Sequence, residues 1–466
     1  MTYLTHLSCS ECGAHFDAGI VQTFYPACQA PLLAEYDLLA ARGHLDRDEI
    51  THRPPGMWRW AELLPVHDPQ HRLTLGEGDA PLLHLPRLGG ELGLPHLFIS
   101  FSGYWPERGG SVTTCSFKEL EALPTMVRAR ENTDRTLVVA SAGNTARAFL
   151  QVSALTGIPV VVVVPEKAVP RLWTTVPADK ACVIAVHGDY TDAIRFSREI
   201  CTLPGFIEEG GAKNVARRDG MGTVMLDAAV TIGRMPDYYF QAIGSGTGGI
   251  AVWEAAVRLQ ADGRFGTHLP ALHLSQNLPF VPMVSAWNDR RRDLVPEMDM
   301  PDALGAISRV FSDVLTNREP PYAIPGGVFD AMSATDGKMY GVSNEEAHAA
   351  GTLFTELEGI DLDPAAAVCT ASLIRTCGTG GLDKNRTVVL NITGGGYQRV
   401  REDHTLIPVQ TAFRVPAGTR AGMVKKELEE MTKTRFCIAL ILNLSGPSAR
   451  LDSTSPRKAF NSSMVP

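Results

Sequence analysis

The chain lacks any excess of positive charge. Across 466 residues, 43 Lys and Arg stand against 51 Asp and Glu, a formal net charge of -8. Nucleic acid needs a basic face to meet its phosphates, so it is not expected as a partner. A small anion remains compatible, because a pocket's local potential can oppose the net charge. Long apolar runs are missing too. None approaches the roughly 20 residues that cross a bilayer, so no membrane partner is expected. The opening Met1-Thr2-Tyr3-Leu4-Thr5-His6 has neither the basic stretch nor the apolar core of a secretory signal, and a cytoplasmic protein is expected. Cysteine is sparse: nine scattered residues suit reduced thiols better than a disulfide framework.

What is present is alternation. Residues 1–60 form a segment of their own, with three of the nine cysteines, closing on the turn-prone Arg53-Pro54-Pro55-Gly56. From about Leu75, short apolar runs alternate with longer amphipathic stretches. Leu97-Phe98-Ile99, Leu137 to Ala140, Val160 to Val164, Val183 to Val186, Tyr238 to Ile243, Leu272 to Leu274 and Val388 to Leu390 read as buried strands. Thr145 to Thr156 and Ile250 to Ala261 have helical length. Strands separated by helices imply an α/β fold with parallel-rich sheets flanked by helices. The last stretch, 453–466, is rich in Ser, Pro and Asn and is expected to be a mobile tail.

Four motifs carry chemistry. Thr114-Cys115-Ser116-Phe117-Lys118-Glu119 sets a lysine on an apolar background, where it is costly unless used. Partial burial also helps a lysine shed its proton and attack a carbonyl. Alone, Ser-Phe-Lys is more often a surface lysine at a helix start; the later motifs reverse that. Ser141-Ala142-Gly143-Asn144-Thr145 follows a strand and opens a helix. Its free N–H groups suit a substrate carboxylate, and Asn144 can place an amide beside a phenolic oxygen. Taken singly, such a turn is an ordinary helix cap. Gly244-Ser245-Gly246-Thr247-Gly248-Gly249 lets backbone N–H groups approach a phosphate, and no Gly-Lys-Ser/Thr follows to make it a Walker loop. Thr393 offers a neutral hydroxyl after a strand. Beside a pyridine nitrogen it would leave the ring unprotonated, a weaker electron sink that suits β-replacement better than transamination. Lysine, amide, glycine loop and hydroxyl together are what pyridoxal 5'-phosphate needs.

In this order the motifs resemble the threonine synthase branch of the fold-type-II (tryptophan synthase β-like) pyridoxal phosphate enzymes, over roughly Leu75 to Arg399. Leu75-Gly76-Glu77-Gly78-Asp79-Ala80-Pro81-Leu82 is similar to the family's L-G-E-G-x-T-P-L. The resemblance implies two domains: 61–115 plus 231–452 as the larger, cofactor-binding one, and 116–230 as the smaller, substrate-side one. A homodimer or higher homo-oligomer is expected by the same analogy. It makes Lys118 the Schiff-base lysine and Asn144 the partner of the ring hydroxyl. Gly244, Ser245, Gly246, Thr247, Gly248 and Gly249 would hold the phosphate, and Thr393 the ring nitrogen. Thr114, Ser141, Ala142, Gly143, Thr145 and Arg147 would face the substrate. Arg147, in the first helical turn, is expected either at the surface or on an anion, the leaving phosphate or an incoming nucleophile.

The departures narrow the branch. Threonine synthases read S-F-K-D-R-G, whereas this chain reads Ser116-Phe117-Lys118-Glu119-Leu120-Glu121-Ala122. With Gly103-Tyr104-Trp105-Pro106-Glu107-Arg108-Gly109 and Pro55-Gly56-Met57-Trp58-Arg59-Trp60, the combination is similar to the cysteate synthases, which join O-phosphoserine and sulfite. The expected partners are therefore a small anionic amino acid and a small nucleophile. Threonine synthesis from O-phosphohomoserine stays open, as does replacement with another nucleophile; an intact Lys118 argues against a non-catalytic scaffold. Cys9-x-x-Cys12 followed by Cys28 resembles a zinc ribbon, but Tyr25 stands where a second C-x-x-C would begin. Tetrahedral structural zinc wants four N or S ligands, and His15 is badly spaced, so a degenerate ribbon without metal is expected.

Overall fold

Val160 to Val164 shows how composition sets place. Its β-branched side chains suit a pleat covered on both faces. In the computed structural model, which describes residues 2–68, 70, 80–141 and 143–429, the strand Val160–Pro165 is buried throughout. It is the middle of a five-stranded sheet ordered Phe206–Glu208, Thr136–Ala140, Val160–Pro165, Ala181–His187 and Phe413–Pro416, with every pairing parallel. A six-stranded sheet runs Lys338–Val342, Ala271–Asn277, Tyr238–Ala242, Val388–Ile392, Leu97–Phe101 and Leu82–His84. Only its edge strand Leu82–His84 is antiparallel. The seven apolar runs all fall in these strands, with Ile243 one residue past an end. The two helical stretches are Asn144–Thr156 and Thr247–Asp262.

The boundary drawn from sequence order needs one correction. Phe413–Pro416 lies in the range assigned to the larger domain, yet it pairs with Ala181–His187 at the edge of the smaller sheet. Residues 75–79 of the opening motif, Ala142 and the tail 453–466 lie outside the described residues.

Residues 1–60 contribute a separate antiparallel sheet, His15–Asp17, Leu4–Cys9 and Leu32–Tyr36, around a small core of Leu4, Leu7, Cys9, Leu32 and Ala34. The segment is docked on the helix Val215–Ile232. Val215 joins its core, Arg218 Nη2 donates to the Leu32 carbonyl at 2.6 Å, and the Tyr36 hydroxyl donates to Asp219 Oδ2 at 2.7 Å. The same helix meets Lys118–Asn132 at close range: a Cβ at Gly220 would stand 2.1 Å from the Leu120 carbonyl oxygen, so only glycine fits there. That approach brings Arg217 beside Lys118.

Candidate active site

Three parallel strands end at one cleft. Thr136–Ala140 runs into the Ser141–Thr145 turn, Tyr238–Ala242 into the glycine loop, and Val388–Ile392 into Thr393. The carboxyl ends of parallel strands are where open α/β sheets take ligands. One pocket there is lined by Lys118, Ser141, Gly143, Asn144, Thr145, Gly244, Ser245, Gly246, Thr247, Gly248 and Thr393. The structure does not bring Gly249, Thr114 or Arg147 to its wall. The Phe117 N–H donates to the Thr393 carbonyl at 3.0 Å, tying the lysine turn to the end of the larger sheet.

The glycine loop is a cradle built mainly of backbone. Gly246, at φ 84°, opens the helix Thr247–Asp262. A Cβ there would lie 2.3 Å from Val328 Cγ2, and one at Gly248 would lie 2.2 Å from Gln241 Nε2. The helix leaves its first N–H groups without intrahelical partners, at the positive end of its dipole. Ser245 Oγ and Thr247 Oγ1, 2.8 Å apart, add two hydroxyls. This donor set fits the phosphate of pyridoxal 5'-phosphate. Gly244, Gly246 and Gly249 also spell the G-x-G-x-x-G of dinucleotide folds, so these letters alone do not separate the two ligands; a lysine across the pocket favours pyridoxal.

Lys118 heads its helix with a side chain only 20% exposed. Burial holds its pKa below the ordinary lysine range, and the Glu121 carboxylate opposes that shift. Its Nζ lies 3.4 Å from Glu121 Oε2 and 4.4 Å from the centre of the Phe117 ring. Glu121 is fully buried and is shared three ways. Arg217 Nη2 reaches Glu121 Oε1 at 2.8 Å, and the Thr145 hydroxyl donates to the same oxygen at 2.9 Å. The other arm of Arg217, Nη1, pairs with Glu209 Oε2 at 2.8 Å. Arg217 thus bridges both acids, with Lys118 beside Glu121, and such pairing is how charge survives burial. Arg217 is 8% exposed and lines the pocket, and its Nε finds no partner among the described residues.

Sequence reasoning missed Glu121, Glu209 and Arg217 as site residues. Glu121 had a signal, an acid three positions after Lys118 amid Leu120, Ala122 and Leu123. Arg217, in Val215-Ala216-Arg217-Arg218, had none that separates it from a surface charge.

Asn144 is held from both sides. Its Nδ2 donates to Asp363 Oδ2 at 3.3 Å, and its Oδ1 accepts from Arg147 Nη2 at 3.1 Å, leaving one amide N–H for a ligand. Arg147 is neither at the surface nor on the pocket wall. It is 4% exposed, lies between the Trp173 and Tyr397 rings, and donates through Nε to the Thr114 carbonyl at 2.9 Å and through Nη2 to the Tyr397 hydroxyl at 2.8 Å. It orients Asn144 from behind. Ser141 Oγ likewise turns inward, accepting from the N–H groups of Gly143 at 3.1 Å and Ala146 at 2.9 Å. Thr114 donates to Glu119 Oε2 at 2.9 Å.

Comparison with known proteins agrees with the fold and with the cofactor. The family described as "Pyridoxal-phosphate dependent enzyme" matches residues 73–394. A protein named "Cysteate synthase" from Methanosphaerula palustris is 56% identical, over 88% of this chain and 98% of its own length. Another of that name from Methanosarcina barkeri is 50% identical, over 87% of this chain and 96% of its own. Among solved structures, diaminopropionate ammonia lyase from Escherichia coli matches 72% of this chain and 88% of its own with a TM-score of 0.53; at 14% identity it shows the fold alone. By motif, fold and these similarities, the chain belongs to the pyridoxal-phosphate-dependent enzymes and, within them, to the cysteate synthase family.

Proposed function

We propose that the chain carries out β-replacement on O-phospho-L-serine, with sulfite entering and phosphate leaving to give L-cysteate. When bound, pyridoxal 5'-phosphate supplies the electron sink that acidifies the amino acid's Cα. Lys118, Asn144, the glycine loop and Thr393 hold it. Freed of the cofactor, Lys118 Nζ takes the Cα proton and later returns one to the same carbon. Its burial favours the neutral amine that this task needs. The Ser141–Thr145 turn receives the substrate carboxylate. The Cβ–O bond to phosphate breaks and a Cβ–S bond to sulfite forms, so one small anion is exchanged for another. Arg217 Nε, buried and unpartnered at the pocket, is the donor that suits this exchange.

The single observation that carries the reading is that the largely buried Lys118 amine and the glycine cradle line one pocket. The name of the relatives supports cysteate as the product. The eight described cysteines are free thiols, which supports work in a reducing cytoplasm. No helix among the described residues is long and apolar enough to cross a membrane.

The test is incubation of cofactor-loaded enzyme with O-phosphoserine or O-phosphohomoserine, each with sulfite, sulfide or water alone, and products read by mass spectrometry. O-Phosphoserine with sulfite should give cysteate and phosphate in equal amounts. Threonine from O-phosphohomoserine, with no cysteate from the other pair, would make the chain a threonine synthase instead.

A further inference from the structure

The N-terminal segment contains the same turn twice. In the first, Gly13 N–H donates to the Cys9 carbonyl at 2.9 Å and Cys9 N–H to the Ala14 carbonyl at 2.9 Å, with Gly13 at φ 71°. In the second, Gln29 N–H donates to the Tyr25 carbonyl at 2.7 Å and Tyr25 N–H to the Ala30 carbonyl at 2.9 Å, with Gln29 at φ 56°. Cys9 thus corresponds to Tyr25, Cys12 to Cys28, and Gly13 to Gln29. A non-glycine residue held in the left-handed region marks a turn whose shape is imposed by its surroundings. The Ser10 N–H donates to the Pro31 carbonyl at 3.0 Å and joins the two turns.

The turns converge on sulfur. The thiols of Cys9, Cys12 and Cys28 lie within 4.8 Å of one another and are not joined in a disulfide. Thiolates about 2.3 Å from a tetrahedral metal stand roughly 3.8 Å apart, within that reach. The ring of Tyr25, at the fourth corner, packs edge-on against Phe16 at 5.1 Å.

We propose that Cys9, Cys12 and Cys28 bind one thiophilic divalent cation of the zinc class, with the fourth position left to solvent beside the exposed Cys12. Counting ligands along the sequence makes the trio look like a relic; the paired turns keep three corners of the tetrahedron in place. The cation would fix the turn at Tyr25–Gln29, whose Gln29 carbonyl accepts from Lys213 Nζ at 3.1 Å, four residues before Arg217.

The test uses the full chain, chelator-stripped under reducing conditions and titrated with Co2+. One equivalent should bind, with a thiolate-to-cobalt charge-transfer band and the intense visible bands of four-coordination, and Zn2+ should displace it. Cys12→Ser, at an exposed position, should weaken binding at least ~10-fold. Tyr25→Cys should tighten it by supplying a fourth sulfur. Substoichiometric binding by a wild-type chain whose three thiols are reduced would overturn the proposal. So would cobalt bands unchanged in both Cys12→Ser and Cys28→Ser, or binding seen only in Tyr25→Cys.

Discussion

The two walls of the cleft are made of opposite materials. The wall from the six-stranded sheet offers backbone: the Gly244–Gly248 loop and the neutral Thr393. The facing wall offers charge: Lys118 and Arg217 line the pocket, and the buried Glu121 and Glu209 hold them from behind through contacts of 2.8 to 3.4 Å. The first wall binds by shape and fixed dipoles, with nothing to titrate. The second sets a protonation state, and it can do so because each buried charge has a partner. Binding and proton transfer are thus assigned to different walls, and substitutions should separate them.

Removing the amine should have the largest effect. Lys118→Ala should lower kcat by at least ~10^3-fold, since the proton acceptor disappears, while cofactor still binds through the glycine wall. Near wild-type replacement by this variant, measured as phosphate release, would break the division between the walls. Next comes its neighbour. Glu121→Gln leaves Arg217 short of one partner, and breaking such a buried pair destabilises by about 3–5 kcal/mol. Glu121 pulls the Lys118 pKa upward against burial. Its loss should therefore move the ascending limb of the kcat profile, which reports the substrate-bound enzyme in which the amine is free, to lower pH. A limb that stays put or moves to higher pH would show that Glu121 does not act on Lys118.

On the opposite wall, Gly246→Ala should weaken cofactor binding by about tenfold, equal to ~1.4 kcal/mol, because a Cβ meets both a positive φ and Val328. The pH limb should not move. A titration followed by cofactor absorbance checks the first point and the rate profile the second. The smallest effect belongs to Arg217→Lys. Charge is kept but the directed Nε–H is lost, so KM for sulfite or O-phosphoserine should rise a few-fold to ~10-fold with cofactor affinity unchanged. Equal KM values for both would mean that the free Nε faces neither anion.

The contrast between the walls also explains what was legible in the sequence. The glycine wall is local. A strand, a turn and a helix start lie within a dozen residues, and glycine announces close approach by its identity. The apolar runs that became strands were readable for the same reason, Val160 to Val164 most plainly. The charged wall is assembled from Lys118 and Glu121 on one helix, Glu209 after the strand Phe206–Glu208, and Arg217 on another helix. Beyond the three-residue step from Lys118 to Glu121, no spacing connects these. They meet because Gly220 lets two helices touch. Arg147 fails in the instructive direction: a charge in the first turn of a helix at a ligand-binding loop suggests a ligand contact, but its guanidinium lies between two aromatic rings and reaches Asn144, an arrangement only the fold supplies. The edge strand Phe413–Pro416 was hidden too, because its sheet partner lies far back in the chain.

The central claim is that Lys118, held as a largely buried amine, shares its pocket with the cofactor cradle. Borohydride reduction of the loaded enzyme followed by peptide mapping tests it most directly. The account predicts that the reduced cofactor is attached to Lys118, in near-stoichiometric yield, and that Glu121→Gln leaves it on the same residue. Attachment to any other lysine, Lys213 being the nearest in sequence to Arg217, would contradict it.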